Sequence, residues 1–427
     1  MRQKSVESSL APHDSFSRGW QWIRERRLPL LALSLYLVAA LWLTWPTVLS
    51  PLSEIPIGSE PVATVPLFAV WTMWWNADQL ASMFGNYWNA PIFFPTQDTF
   101  ALSEPLPGTM IVAPVIWITG SRVLAYNLYL WTSLILNGVF AQRLLKLYGV
   151  GTSVAIWGSV AVVLLPIVNW QLGVVHLLSL WGILWTWAAI ERMCDKPTRW
   201  RGVELGAALG VSAILSFHHG LFLGILLVAA APTLWRCLIR YRDWPAWLLA
   251  VPVALIIAGP FAYPIHKTLQ VHGTEWERAW IVEQSAQPSD YLQVYGTTAP
   301  NNSWRMLAPG WVKLGLAMIG IVFGIRNVAY RRWAAFLLVI VIAAFLLSLG
   351  PNLQLGAWRP WWFLANYVPG LAEVRNVFRF AYFVHLVVVL FAAVGLYGLY
   401  QAGSRRWKEG APRLTLRLLL SLLALVA

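Results

Sequence analysis

Residues 377–400 read VFRFAYFVHLVVVLFAAVGLYGLY, with one charged side chain, Arg379, near the start. A helix needs about 20 mostly apolar residues to cross the hydrocarbon core of a bilayer. A helix apolar on every side is buried in a large core or in a membrane. Working outward from this stretch, similar runs recur near 28–49, 121–147, 152–169, 174–193, 201–217, 219–240, 245–265, 311–327 and 332–349. An eleventh begins near Leu414 and is cut off at Ala427. The expectation is an all-α polytopic membrane protein of about 11 transmembrane helices, the last truncated, with the chain as the front part of a longer protein. In domain terms this is a tail, 1–27, followed by a single transmembrane domain, 28–427.

Composition points the same way. Of 427 residues, 58% are hydrophobic and 11% are charged, against about 25% charged in a soluble domain. Mean hydropathy is +0.60. So few charges cannot clothe a water-soluble surface of this size, which excludes an ordinary cytosolic enzyme, a disordered chain and a DNA-binding domain. The first 27 residues are polar and the apolar run after them is too long for a signal-peptide core. Two cysteines, Cys194 and Cys237, exclude a disulfide scaffold.

The net charge of +13 is then a matter of orientation. With the N-terminus in the cytoplasm and the spans alternating, most of the 31 Lys and Arg fall in cytoplasmic segments, as Lys and Arg do in inner-membrane proteins. The stretches 65–84 and 105–120 are apolar but short or interrupted. Counting 105–120 as a span would invert every later loop, so both are read as interfacial or re-entrant helices. Three long loops, 50–120, 266–310 and 350–376, then share the outer face, where a site is expected. Both cysteines fall on the cytoplasmic side.

The first outer loop holds five carboxylates, Glu54, Glu60, Asp78, Asp98 and Glu104, and no Lys or Arg between Ser50 and Ser121. Cations come later on the same face, among them Arg305, Arg375 and Arg379. A carboxylate suits general-base work on a hydroxyl, and arginines suit a phosphate. Trp71, Trp74, Trp75 and Asp78 fall on one face of a surface-lying helix, which would hold Asp78 close to that apolar face. The other reading of Asp78 is a buried acid satisfied by a nearby amide or Arg. Arg375 and Arg379, four apart on a helix, would point the same way toward a phosphate; headgroup anchoring or a pair with Glu373 explains them equally well. His176, His218 and His219 stand at the outer ends of spans, where they line a cavity or anchor the interface. No tight metal motif joins them, so the metal requirement is left unknown, with a divalent cation as the candidate cofactor.

The layout of a first span, a long acidic outer loop, surface helices and a bundle with short inner loops resembles the GT-C class of membrane glycosyltransferases. Local stretches resemble a bacterial branch of that class: IGSEPVATVPLFAVWTMWWNAD from Ile57, NAPIFFPTQDTFALSEP from Asn89, TGSRVLAYNLYL from Thr119 and PGLAEVRNVFRFAYF from Pro369. The resemblance implies a GT-C-like fold in the inner membrane. It also implies transfer of a sugar from a polyprenyl-phosphate donor to an acceptor on the outer face, with Glu60 or Glu54 as the counterpart of the family's acids. The first acids here stand six apart, without the close acidic pair many members carry. The alternatives are a non-catalytic membrane assembly protein and a lipid or polysaccharide transporter. The implied partners are the lipid bilayer and a polyprenyl-linked sugar, with no nucleic acid.

Overall fold

The computed structural model describes residues 14–60, 62–240, 244–272, 276–293 and 307–406. Among these the regular structure is helical, with no strand beyond one isolated bridge between Leu355 and Trp358. In chain order the helices are α1 (Asp14–Leu43), α2 (Thr64–Ala81), α3 (Ala113–Thr119), α4 (Arg122–Leu147), α5 (Thr152–Val163), α6 (Pro166–Trp170), α7 (Trp181–Asp195) and α8 (Arg199–Leu215). Then come α9 (Phe217–Arg240), α10 (Trp244–His272), α11 (Arg278–Glu283), α12 (Trp311–Arg326), α13 (Arg331–Ser348), α14 (Pro360–Tyr367) and α15 (Ala381–Arg406).

Among the described residues, six segments are long and apolar enough to cross a membrane: Arg122–Leu147, Thr152–Trp170, Phe217–Leu238, Trp244–His272, Arg331–Ser348 and Val377–Gly403. The expected count of eleven is therefore not reached on length and apolarity among these residues. The other complete predicted spans do fall on helices, but shorter ones. The apolar part of α1 is Leu28–Leu43, and α7, α8 and α12 have 15, 17 and 16 residues. The stretch from Leu414 lies outside the described residues. The two ambiguous stretches become α2, of 18 residues, and the short apolar helix Pro107–Thr119.

The opening stretch is the central post of the bundle. Of its apolar window 94% is buried, against 6% for Trp244–His272. α15 packs on α12, α13 and α5, whereas α10 leans chiefly on α8. Leu248, Val251, Leu255 and Ile256 of α10 are exposed apolar side chains, the surface expected against lipid tails. α8 receives α10 through Gly202, Gly206 and Gly210. A Cβ on Gly202 would stand 2.0 Å from the Ala246 carbonyl oxygen, and one on Gly206 2.5 Å from that of Ala250. Small residues at this spacing let two helix backbones approach closely, which is how packing holds helices together in lipid.

Ion pairs tie the helices at one end. Arg332 of α13 donates to Glu191 of α7, and Arg192 of α7 to Glu204 of α8. Tyr148, just past α4, stacks on Trp333 at the start of α13, with ring centroids 4.3 Å apart. The long loop 50–121 lies at the other end of α4.

At that loop end the sequence reading needs one correction. The predicted span 174–193 is helical only from Trp181. Residues 171–180 form an irregular, wholly buried segment with one 3-10 turn, Val175–Leu178. Buried backbone outside a helix must find partners elsewhere, and α4 supplies them. Asn137 donates through Nδ2 to the Leu178 carbonyl at 2.7 Å. Ser133 and Tyr129 hold Ser179 Oγ at 2.9 and 3.2 Å. From above, the turn at 57–60 docks on the same segment: the Ser59 N–H donates to the Trp170 carbonyl at 2.9 Å. That docking requires glycine at 173, where a Cβ would lie 2.3 Å from the Ile57 oxygen.

Replacing Gly173 with Ala is expected to destabilise the protein by about 1–3 kcal/mol, the usual cost of overpacking. Gly224→Ala in α9, where a Cβ meets nothing within 4 Å, is expected to be neutral or slightly stabilising. Thermal unfolding of the detergent-solubilised variants checks both.

Candidate functional site

The loop between α2 and α3 is built on Asn76. Its Nδ2 donates to the carbonyls of Pro105 and Leu106 at 2.8 and 2.9 Å and lies 3.0 Å from Thr109 Oγ1. Its Oδ1 accepts from the Tyr87 hydroxyl at 2.9 Å. Trp75 donates to the Tyr87 carbonyl and packs with Tyr87 and Phe100 in a small aromatic cluster. These contacts fix the turn that follows Glu104 and so aim its side chain at the bundle.

Glu104 is where three segments meet. Its Oε1 accepts the Phe217 backbone N–H at 3.0 Å, one of the free donors at the start of α9. Its Oε2 stands 3.1 Å from His218 Nδ1 and 2.8 Å from His176 Nε2. The last is an ion-pair distance without the direction of a hydrogen bond, so His176 Nε2 is buried with no hydrogen-bond partner. Arg379 Nη1 comes within 3.4 Å of His218 Nε2. A guanidinium can only donate, so neutral His218 carries its proton on Nδ1 and gives it to Glu104. Burial alone would push the Glu104 carboxyl up. The histidines beside it outweigh that and hold it well below the usual carboxylate range.

Around this core several buried polar atoms lack partners among the described residues: both ring nitrogens of His219, Arg379 Nε and the Tyr382 hydroxyl. The His219 and Tyr382 rings are 5.2 Å apart. Buried polar groups in folded proteins are nearly always satisfied. A set of unpartnered ones beside a carboxylate and an arginine marks a place for water or a ligand.

No family model matches this chain, and no curated protein is similar to it. The site therefore has to be read from its own geometry.

The residues expected from sequence divide into two groups. Glu104, His176, His218, His219 and Arg379 come together. Glu60 lies on the turn that docks over the segment carrying His176: its side chain is half-buried and its Cγ would meet a Cβ at Gly173 at 3.0 Å. Others do not join. Glu54 is exposed and is held through its backbone, the N–H donating to the Ser50 carbonyl at 2.9 Å and the carbonyl accepting from Asn127 at 2.8 Å. Asp98 is half-buried at a left-handed turn, φ +56°, with its N–H bonded to Asn89. Arg305 lies outside the described residues.

Two expectations are overturned. Asp78 is exposed, with Oδ2 accepting from Gln79 at 3.1 Å. Trp75 points into the aromatic cluster, and Asp78, three residues on, has turned off that apolar face. Arg375 and Arg379 do not share a helical face, because residues 374–376 are not helical and Val377–Phe380 is a 3-10 turn. Arg375 is exposed over the Trp276 ring at 4.8 Å, whereas Arg379 turns inward to His218.

Sequence reasoning missed Asn76, Tyr382 and the Phe217 amide. The signal for Asn76 was there, as a polar residue inside the apolar run TMWWNA. Backbone amides carry no sequence signal at all.

Glu104→Ala would orphan the Phe217 N–H and His218 Nδ1–H, each at a cost of about 1–3 kcal/mol. Glu104→Gln keeps an acceptor for Phe217, so it is expected to lose clearly less thermal stability than Glu104→Ala. Melting temperatures of the two variants in detergent test this order.

Proposed function

We propose that this chain is a GT-C-like sugar transferase of the bacterial inner membrane, taking its sugar from a polyprenyl-phosphate donor. In this reading α1, α4, α5–α6, α7, α8, α9, α10, α12, α13 and α15 cross the membrane. The N-terminus and the Arg192, Arg326 and Arg332 end face the cytoplasm, following the bias of Lys and Arg. The Glu104 end faces outward. Nucleotide sugars are made in the cytoplasm, which makes a lipid-linked donor the reasonable one on that face.

The observation that carries the reading is the convergence of the Glu60 turn, Glu104, three histidines and Arg379 from segments far apart in sequence, together with buried polar atoms that lack partners. The roles follow from what each group has left to offer. Glu104 is committed to Phe217, His218 and His176, so it holds the site rather than abstracting a proton. Glu60, half-buried on the turn that packs against Gly173, is the general base for the acceptor hydroxyl. Arg379, with Nε unpartnered, takes the phosphate of the departing lipid and stabilises its growing charge. The transferred bond is the sugar–phosphate bond. The acceptor oxygen forms the new glycosidic bond, its proton goes to Glu60, and the lipid phosphate leaves with the electron pair.

In membranes supplied with a labelled polyprenyl-phosphate sugar, Glu60→Gln is expected to lower kcat by at least about 100-fold, the low end for a general base. Arg379→Lys keeps the charge but loses the fork and is expected to cost about tenfold or more in kcat/KM. Glu54→Gln and Asp78→Asn should stay within about twofold of wild type on the surface placement of both side chains. Unchanged transfer by Glu60→Gln overturns the base assignment.

A further inference from the structure

The contact between His176 Nε2 and Glu104 Oε2 is unusual in a way that a hydrogen-bond network does not explain. The two atoms are 2.8 Å apart, yet a proton on Nε2 would not point at the oxygen. If Nε2 is unprotonated, its lone pair points past the carboxylate oxygen, with no donor among the described residues to meet it. The same oxygen is also 3.1 Å from His218 Nδ1.

These are the spacings of atoms that share a cation. At a metal–ligand distance of about 2.1 Å, neighbouring ligand atoms stand about 3.0 Å apart in an octahedral shell and about 3.4 Å apart in a tetrahedral one. One donor atom from each of Glu104, His176 and His218 can be chosen so that all three lie within 4.8 Å of one another. Ligand lone pairs converge on a point beside the line joining two ligands, not along it, which accounts for the off-axis direction at His176. We infer that Glu104, His176 and His218 form a binding site for a divalent transition metal ion of the zinc class.

The donor set decides the class. Two imidazoles and one carboxylate suit zinc and its first-row neighbours, whereas magnesium and calcium prefer oxygen alone. The elements around the site hold the ligands as a metal site requires. The Phe217 amide fixes Glu104 through Oε1 and leaves Oε2 for the ion. His176 sits on the buried segment 171–180, pinned by Asn137, Ser133 and Tyr129 of α4. With a metal bound, His218 would offer Nδ1 and carry its proton on Nε2, and Arg379, 3.4 Å away and able only to donate, would lose that partner. Three protein ligands leave at least one position for water or substrate, the pattern of catalytic rather than structural sites. The inference concerns the same site as the proposed transferase but stands on donor geometry alone.

The test uses the full chain, purified in detergent, stripped with a chelator and titrated with Zn²⁺. Wild type is expected to bind close to one zinc per chain. His176→Gln, His218→Gln and Glu104→Gln are each expected to weaken binding at least tenfold, and His266→Gln, at an exposed histidine of α10, to leave it within twofold. X-ray absorption on the zinc-loaded wild type should show an all-nitrogen-and-oxygen shell with the multiple scattering of two imidazoles. This measurement decides the matter even if a variant does not fold. Absence of wild-type binding, binding unaffected by all three variants, or a shell without imidazole scattering overturns the inference. Zinc bound in this way without sugar transfer leaves the metal site standing and removes the transferase reading. Full transfer by protein that remains metal-free does the reverse.

Discussion

One carboxylate joins the loop end of this bundle together. Glu104 belongs to the first long loop, Phe217 and His218 to the start of α9, and His176 to a buried segment that no helix owns. A charge in such a place is expensive unless it is fully engaged. Here it is engaged by a backbone amide and the His218 imidazole, His176 lies in contact with it, and an arginine stands behind His218. The loop is thereby tied to the bundle as firmly as a helix would be. Most of what distinguishes this end from the other follows from that tie.

The opposite end uses the same physics for a different purpose. Glu191 with Arg332 and Glu204 with Arg192 are pairs between neighbouring helices, Glu204 taking a further hydrogen bond from Trp185 and Glu191 keeping one buried oxygen without a partner among the described residues. At the loop end Arg379 Nε, the Tyr382 hydroxyl and both ring nitrogens of His219 lack partners among the described residues, and there they stand around a carboxylate that three segments share.

The helical class was legible in the sequence because apolar runs of membrane length report on the solvent around them. Helix lengths were less legible. Residues 174–180 are as apolar as any span, and hydropathy cannot tell a buried irregular segment from a helix when both are apolar. What betrays it is the polar side chains of α4, Tyr129, Ser133 and Asn137, which are scattered along another element. The candidate site was half visible. Its acids and histidines stood out as polar residues at span ends, but their pairing depends on a loop path set by Asn76. The arginine pair failed for a local reason: an i, i+4 argument needs a helix, and the chain around Asn376 is not yet one.

The seam between α8 and α10 has a further consequence. Gly202, Gly206 and Gly210 repeat every four residues, and so do the residues they face, Ala246, Ala250 and Ala254, with Ala258 next in line. The glycines set the distance between the two helices, and branched side chains fill the seam beside the alanines: a Cβ on Gly206 would meet Val253 at 2.7 Å and one on Gly210 would meet Ile257 at 2.8 Å. Beyond the seam the Phe261 ring of α10 meets Tyr87 with centroids 6.0 Å apart. The aromatic cluster that aims Glu104 therefore also braces α10, so the most exposed long helix and the buried carboxylate share one support.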